Sequence, residues 1–98
     1  MNANVSTQTR KAIYARDGYR CALCDSTQRL QIHHCIPRGR GGSHHEHNLI
    51  CLCSACHAQC HGLDLYDDPD FDPSFVEQAV IEYLVDFYGY DWNPWKRE

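Results

Sequence analysis

Four cysteines stand in two pairs, Cys21 with Cys24 and Cys53 with Cys56, with two residues inside each pair and 28 between the pairs. Each short loop can grip one side of a tetrahedral ion, and four soft thiolates in that geometry favour zinc. The expectation is a structural Zn2+ site, because metal–thiolate bonds formed on folding stabilise a chain of only 98 residues. Disulfides or a redox pair are the alternatives. Cys60 adds an ambiguity: it lies four residues after Cys56, and on a helix it would fall on the same side. Cys35 and Cys51 sit in apolar runs, where a lone cysteine usually serves as a small buried apolar residue.

The histidines follow a second pattern. His57 and His61 are four apart, and on a helix their imidazoles, separated by about 40° in projection, can meet one ion. Cys56 is rotated about 100° from His57, so one helix can serve two metals on two faces. Upstream, His33 and His34 are adjacent in an apolar run, and on a strand they point to opposite faces and cannot easily share one job. A ligand imidazole has its lone pair tied to the ion, whereas a general base must be neutral and able to take a proton near pH 7.

The order CALC, IHHCIPRGRGG and HNLICLCSACH, within about Arg10 to Gly62, resembles the HNH endonucleases of the four-cysteine zinc-bearing type. His34, Asn48 and His57 would be the three letters of that name. The resemblance implies a small α+β protein with a ββα-metal (His-Me finger) core, two strands and a helix around one divalent ion, beside the four-cysteine zinc knuckle. It implies that His33 is the first-strand ligand, joined by His57 and His61, and that His34 is the general base. Asn48 would tie the loop between the strands and so position His34; a plain turn or cap role is its alternative. The implied activity is hydrolysis of DNA phosphodiester bonds, one strand nicked per active site, leaving a 5′-phosphate and a 3′-hydroxyl.

Many relatives carry aspartate where this chain has His33, and that departure bears on the metal. Magnesium prefers hard oxygen ligands, whereas an all-imidazole set suits transition ions. Mn2+ is therefore the favoured catalytic ion, with Co2+, Ni2+ or Zn2+ possible and Mg2+ weaker.

These residues need elements to hold them. Ser6 or Thr7 can cap a helix that stops near Gly18; Leu30–Ile36 alternates as a strand, Pro37–His47 is a loop, and LICLC is a second strand. Ser54 is the expected cap of the helix carrying CHAQCH, which ends at Gly62. After the acidic, turn-rich DLYDDPDFDP, Asp72 as cap, Pro73 and Gly89 delimit an added C-terminal helix. Its apolar stripe runs through Val76, Ala79, Val80, Tyr83, Leu84 and Phe87, widened by Phe75, Ile81 and Tyr88. It is expected to pack on the metal core, with a dimer contact as the alternative. The organisation is thus one domain, 1–98, with a nuclease core over 6–62 and an acidic linker, helix and aromatic tail over 63–98.

Charge divides the chain more sharply than its net −4 suggests. Residues 1–62 carry seven cations against three carboxylates, and residues 63–98 carry ten carboxylates against two cations. A basic front half fits a phosphate-bearing partner, and an acidic back half argues against that partner wrapping the molecule. Arg38 and Arg40, in the glycine-rich loop after His34, are the leading phosphate contacts, and the glycines would let backbone approach DNA closely. Arg16, Arg20 and Lys11 are weaker candidates, and His44, His45 and His47 are expected to be exposed. With no specificity domain in view, cleavage of low sequence specificity is expected.

Two readings compete with the nuclease: a non-catalytic zinc-containing module that binds nucleic acid, and an interaction module built on the aromatic FYGYDWNPW segment. No run has the layout of a signal peptide or the length of a membrane span, so the expected setting is reducing and cytoplasmic, without a membrane partner. A monomer or a homodimer is compatible with these features.

Overall fold

The computed structural model describes residues 5–97. Helix α1, Thr7–Arg16, is capped by Ser6, whose hydroxyl accepts the Thr9 N–H at 3.1 Å, and beyond it Gly18 turns the chain at φ +76°. Strands β1, Leu30–His34, and β2, Leu49–Cys53, pair antiparallel with His33 opposite Ile50 and His34 opposite Leu49. Helix α2, Ser54–Cys60, follows β2 directly, and helix α3, Pro73–Tyr88, packs against α2. The consecutive β1, β2 and α2 form a ββα-metal fold, with α1 and α3 added around it.

β2 is buried at all five positions because both of its faces are covered. Ile50 and Leu52 join Cys21, Val80 and Leu84 in one apolar cluster, while Leu49 and Cys51 join Val5 and Ile13 in another. That two-sided burial explains why LICLC is a continuous apolar run rather than an alternating one. Burying Val80 and Leu84 contributes about 1.5–3 kcal/mol for each side chain, which fastens α3 to the core.

Three local expectations are corrected. β1 ends at His34, two residues before Ile36, because the Ile36 N–H donates to the side-chain oxygen of Asn48 instead of to a strand neighbour. Cys53, not Ser54, caps α2: its sulfur accepts the Cys56 N–H at 3.4 Å, and Ser54 is the first helical residue. On α3 the buried stripe is narrower than periodicity suggests, since Phe75 and Phe87 are 70% and 55% exposed. The helix limits stand: Asp72 accepts from Ser74 N–H, Pro73 opens the helix and Gly89 closes it at φ +64°.

The last residues lie across the loop that joins the strands. Trp92 Nε1 donates to the His47 carbonyl and the Asn93 N–H to His47 Nδ1, both at 2.9 Å. Ser43 Oγ donates to the Lys96 carbonyl, and Arg97 donates to the Gly41 carbonyl at 2.7 Å. Among the described residues no helix is long and apolar enough to cross a membrane.

Candidate active site and zinc knuckle

The sulfurs of Cys21, Cys24, Cys53 and Cys56 all lie within 4.8 Å of one another, and all seven cysteines are unbridged. Cys24 Sγ is 3.6 Å from Cys53 Sγ, close to the about 3.8 Å edge of a tetrahedron with zinc–sulfur bonds of about 2.3 Å. Cys21 and Cys53 sit in the core, where burial works against a charged sulfur; for Cys21, backbone N–H groups of Cys53, Leu23 and Cys24 outweigh it and lower the pKa. The Cys56 thiol is pushed up by burial and by the neighbouring Cys21 sulfur. Four sulfurs this close cannot all ionise unless a cation shares their centre, so the donor set fits a zinc ion. Cys60 is not in the cluster: it is buried against α3, and burial pushes its thiol up to about 12. Cys51 is likewise buried, and Cys35 lies just past the end of β1, half-buried.

On the other side of α2, His33, His57 and His61 bring one ring nitrogen each within 4.8 Å of the others. β1 supplies His33, α2 supplies His57, and His61 is the residue that caps the C-terminus of α2, one position past the helix proper. His57 Nε2 and His61 Nε2 are 3.2 Å apart. His57 Nδ1 faces Gln31 Oε1 at 2.5 Å; an amide oxygen only accepts, so the proton is on Nδ1 and the Nε2 lone pair faces His61. Burial first, then the neighbouring imidazoles, pushes the His33 pKa down to about 3 and keeps the ring neutral. Its Nδ1 is buried with no hydrogen-bond partner, an orphaned polar atom of the kind a bound ion would satisfy. Three neutral imidazoles converging on one point fit a divalent transition ion.

His33 and His34 line one cavity of about 240 Å³ with His57, His61 and Arg38, although alternation on a strand separates them. β1 ends at His34, and the turn that follows brings the second ring to the cavity edge. His34 Nε2 is 3.0 Å from His44 Nδ1, and His44 Nε2 is 2.9 Å from Arg38.

Asn48 is fully buried and closes the loop. Its Oδ1 accepts the Ile36 N–H at 2.6 Å, and its Nδ2 donates to the carbonyls of Ile36 and Ser43 at 3.1 and 2.9 Å. Gly42 completes the closure: an added Cβ would stand 1.8 Å from the Ile36 carbonyl oxygen, so only glycine fits. The close approach expected of that glycine toward DNA is made within the protein.

Arg16 is corrected as a DNA contact. Its side chain is 8% exposed, paired with Asp17 at 2.8 Å and donating to the Leu49 and Glu46 carbonyls and to Tyr88 Oη. Every donor direction is used inside the fold, and none faces a phosphate. Arg20 is exposed and 3.4 Å from Asp25; Arg38 and Arg40 are exposed in a 3-10 turn over Arg38–Arg40 beside the cavity. His47 is also corrected: it is buried, stacked 4.0 Å from the Tyr88 ring, and holds the C-terminal residues. His44 and His45 are half-buried rather than exposed.

Gln31, His44 and Glu77 reach the site without having been singled out. Gln31 was findable, since it lies two residues before His33 and so on the same strand face. His44 and Glu77 carried no local signal; Glu77 lines the cavity from α3, far along the chain from the motif's first histidines.

No curated protein matches the chain. Residues 21–62 match the family model of the HNH endonuclease, a segment that begins at the first zinc-knuckle cysteine and ends just past the third clustered histidine. Over that segment the chain belongs to the HNH endonuclease family.

Proposed function

We propose that the chain is a metal-dependent endonuclease that nicks DNA, one strand per active site, with low sequence specificity. The carrying observation is the convergence of His33, His57 and His61 on one point, with the His34 imidazole beside it in the same cavity. His33, His57 and His61 would hold the ion. A divalent cation there supplies positive charge to the phosphate and to the departing sugar oxygen. His34 takes a proton from a water, which attacks phosphorus in line with the 3′-oxygen. The bond to that oxygen breaks, leaving a 5′-phosphate and a 3′-hydroxyl. Asn48 holds the loop that follows His34, and Arg38 and Arg40 meet phosphates near the scissile one.

An all-nitrogen donor set supports Mn2+, Co2+, Ni2+ or Zn2+ over Mg2+. The test is nicking of supercoiled plasmid by zinc-loaded protein in Mn2+ and in Mg2+, with His34→Ala alongside. The expected outcome is faster nicking in Mn2+ and loss of nicking in His34→Ala with the ion still bound. Equal cleavage by His34→Ala would sink the mechanism, and cleavage best in Mg2+ would sink the metal assignment.

A further inference from the structure

His34, His44 and Arg38 form a hydrogen-bonded chain running from the cavity to the surface, with links of 3.0 and 2.9 Å. A guanidinium only donates, so His44 Nε2 must accept from Arg38. A neutral imidazole whose Nε2 accepts carries its proton on Nδ1, and His44 Nδ1 points at His34 Nε2. His34 then spends its lone pair on His44 and has none to offer a water. The arrangement is held in place: His44 sits between Ser43, which donates to the Lys96 carbonyl, and His45, whose N–H donates to Ser43 Oγ at 3.1 Å.

Arg38 is exposed, and a phosphate oxygen is a stronger acceptor for it than a neutral imidazole, since charge-assisted hydrogen bonds are about twice as strong as neutral ones. Once a phosphate takes Arg38, His44 Nε2 can bind a proton from solvent. The bridging proton crosses from His44 Nδ1 to His34 Nε2, and His34 releases its Nδ1 proton to solvent. One proton enters, one leaves, and the charge is unchanged. His34 Nδ1 then carries the lone pair, and His44 Nδ1 accepts from His34 Nε2–H.

We infer that Arg38 and His44 are a substrate-sensing relay that readies His34 only when a backbone phosphate next to the scissile one draws Arg38 away from His44. This rests on the nuclease reading of His34. It names the substrate class as a polyanionic nucleic-acid backbone, and an isolated phosphodiester should be a poor substrate because nothing in it engages Arg38.

Two substrates separate the relay from simple phosphate binding: plasmid DNA and bis(p-nitrophenyl) phosphate, each in Mn2+. For Arg38→Ala, KM for DNA should rise about tenfold, while turnover of the small diester rises above that of the parent. His44→Asn keeps an acceptor where Nδ1 stood and should show the same rise. His44→Ala should lose kcat on both substrates with KM unchanged, and His44→Asn should restore it where His44→Gln does not. Arg38→Ala slowing both substrates alike, or His44→Ala leaving both kcat values intact, would overturn the relay.

A second readout needs no turnover. Imidazole 15N shifts of the zinc-loaded protein should show the His44 proton on Nδ1 alone and on Nε2 after a short DNA duplex is added. An unchanged tautomer overturns the relay. A parent that cleaves neither substrate while this tautomer still switches would refute the nuclease reading and leave the relay standing.

Discussion

Gln31 and His57, from the first strand and the last helix of the ββα-metal fold, meet at 2.5 Å through Oε1 and Nδ1. The contact fixes which nitrogen of His57 keeps its lone pair, and it does so from the same strand face that carries His33. Gln31→Ala should weaken binding of Ni2+ or Mn2+ at the three-histidine site about tenfold, the lower end for such partners because Gln31 is exposed. Gln31→Glu should tighten it, since a carboxylate makes the ligand imidazole more electron-rich. Calorimetric titration of protein with its knuckle already zinc-loaded measures both, and identical affinities across the three proteins would show that the contact does not orient His57.

Arg16 joins α1 to the rest of the molecule rather than to a substrate. Its guanidinium pairs with the buried Asp17 and donates to two carbonyls and to Tyr88, while Asp17 also accepts the Cys51 N–H at 2.9 Å. Removing one member of a buried pair strands the other charge, so Arg16→Ala should cost about 3 kcal/mol of unfolding free energy. Urea denaturation of the zinc-loaded protein checks this. If stability is unchanged and only DNA affinity falls, Arg16 is a phosphate contact after all.

The ligands were legible because their spacings are short and local. Cys21 with Cys24, Cys53 with Cys56, and His57 with His61 each lie within about one helical turn or one tight loop, where geometry follows from separation alone. The helix ends at Asp72 and Gly89 were legible for the same reason, as local cap chemistry. What could not be read was contact across distance: Arg16 with Tyr88, His34 with His44, Trp92 with His47. An arginine looks the same in sequence whether its charge meets a phosphate or a buried carboxylate. Likewise, the periodicity that placed Phe75 on the stripe of α3 says nothing of how wide a surface the core offers it.

Asn48 sits where either substitution of its amide should be informative. Asn48→Ala leaves the Ile36 N–H and the Ile36 and Ser43 carbonyls without that partner, at about 3 kcal/mol for the three lost bonds. Asn48→Asp, though closer in shape, should be worse, because it turns a carboxylate oxygen toward two carbonyl oxygens. Urea midpoints order the two variants, and an aspartate more stable than the alanine would mean that the donor side of the amide is not what closes the loop.

Alkali should loosen the attachment of α3. Tyr83 donates to Asp17 Oδ1 at 3.0 Å, and burial, followed by the nearby Asp17 charge, pushes its pKa up to about 12. Between pH 10 and about 12 the unfolded chain loses this proton and the folded chain keeps it, so stability falls as pH rises through that window. Tyr83→Phe should be less stable at neutral pH and show a shallower decline above pH 10, read from thermal midpoints across the range. A parallel decline in both proteins would exclude Tyr83 as the source.

The two metal sites should come apart on stripping. Cys21 and Cys53 lie in the apolar cluster with Ile50, Leu52 and Leu84, so loss of the knuckle ion would leave mutually repelling or desolvated sulfurs in the core. The histidine cluster sits at the edge instead: His61 is exposed, and losing its ion leaves three neutral rings at a cavity wall. A chelator strong enough only for the imidazole site should therefore abolish nicking while circular dichroism and cooperative unfolding persist. Sequestering the cysteines with a mercurial reagent should then release one further equivalent of zinc and end cooperative unfolding. Unfolding at the first step, before any thiol-bound zinc is released, would show that the histidine cluster holds the fold together and that the knuckle does not.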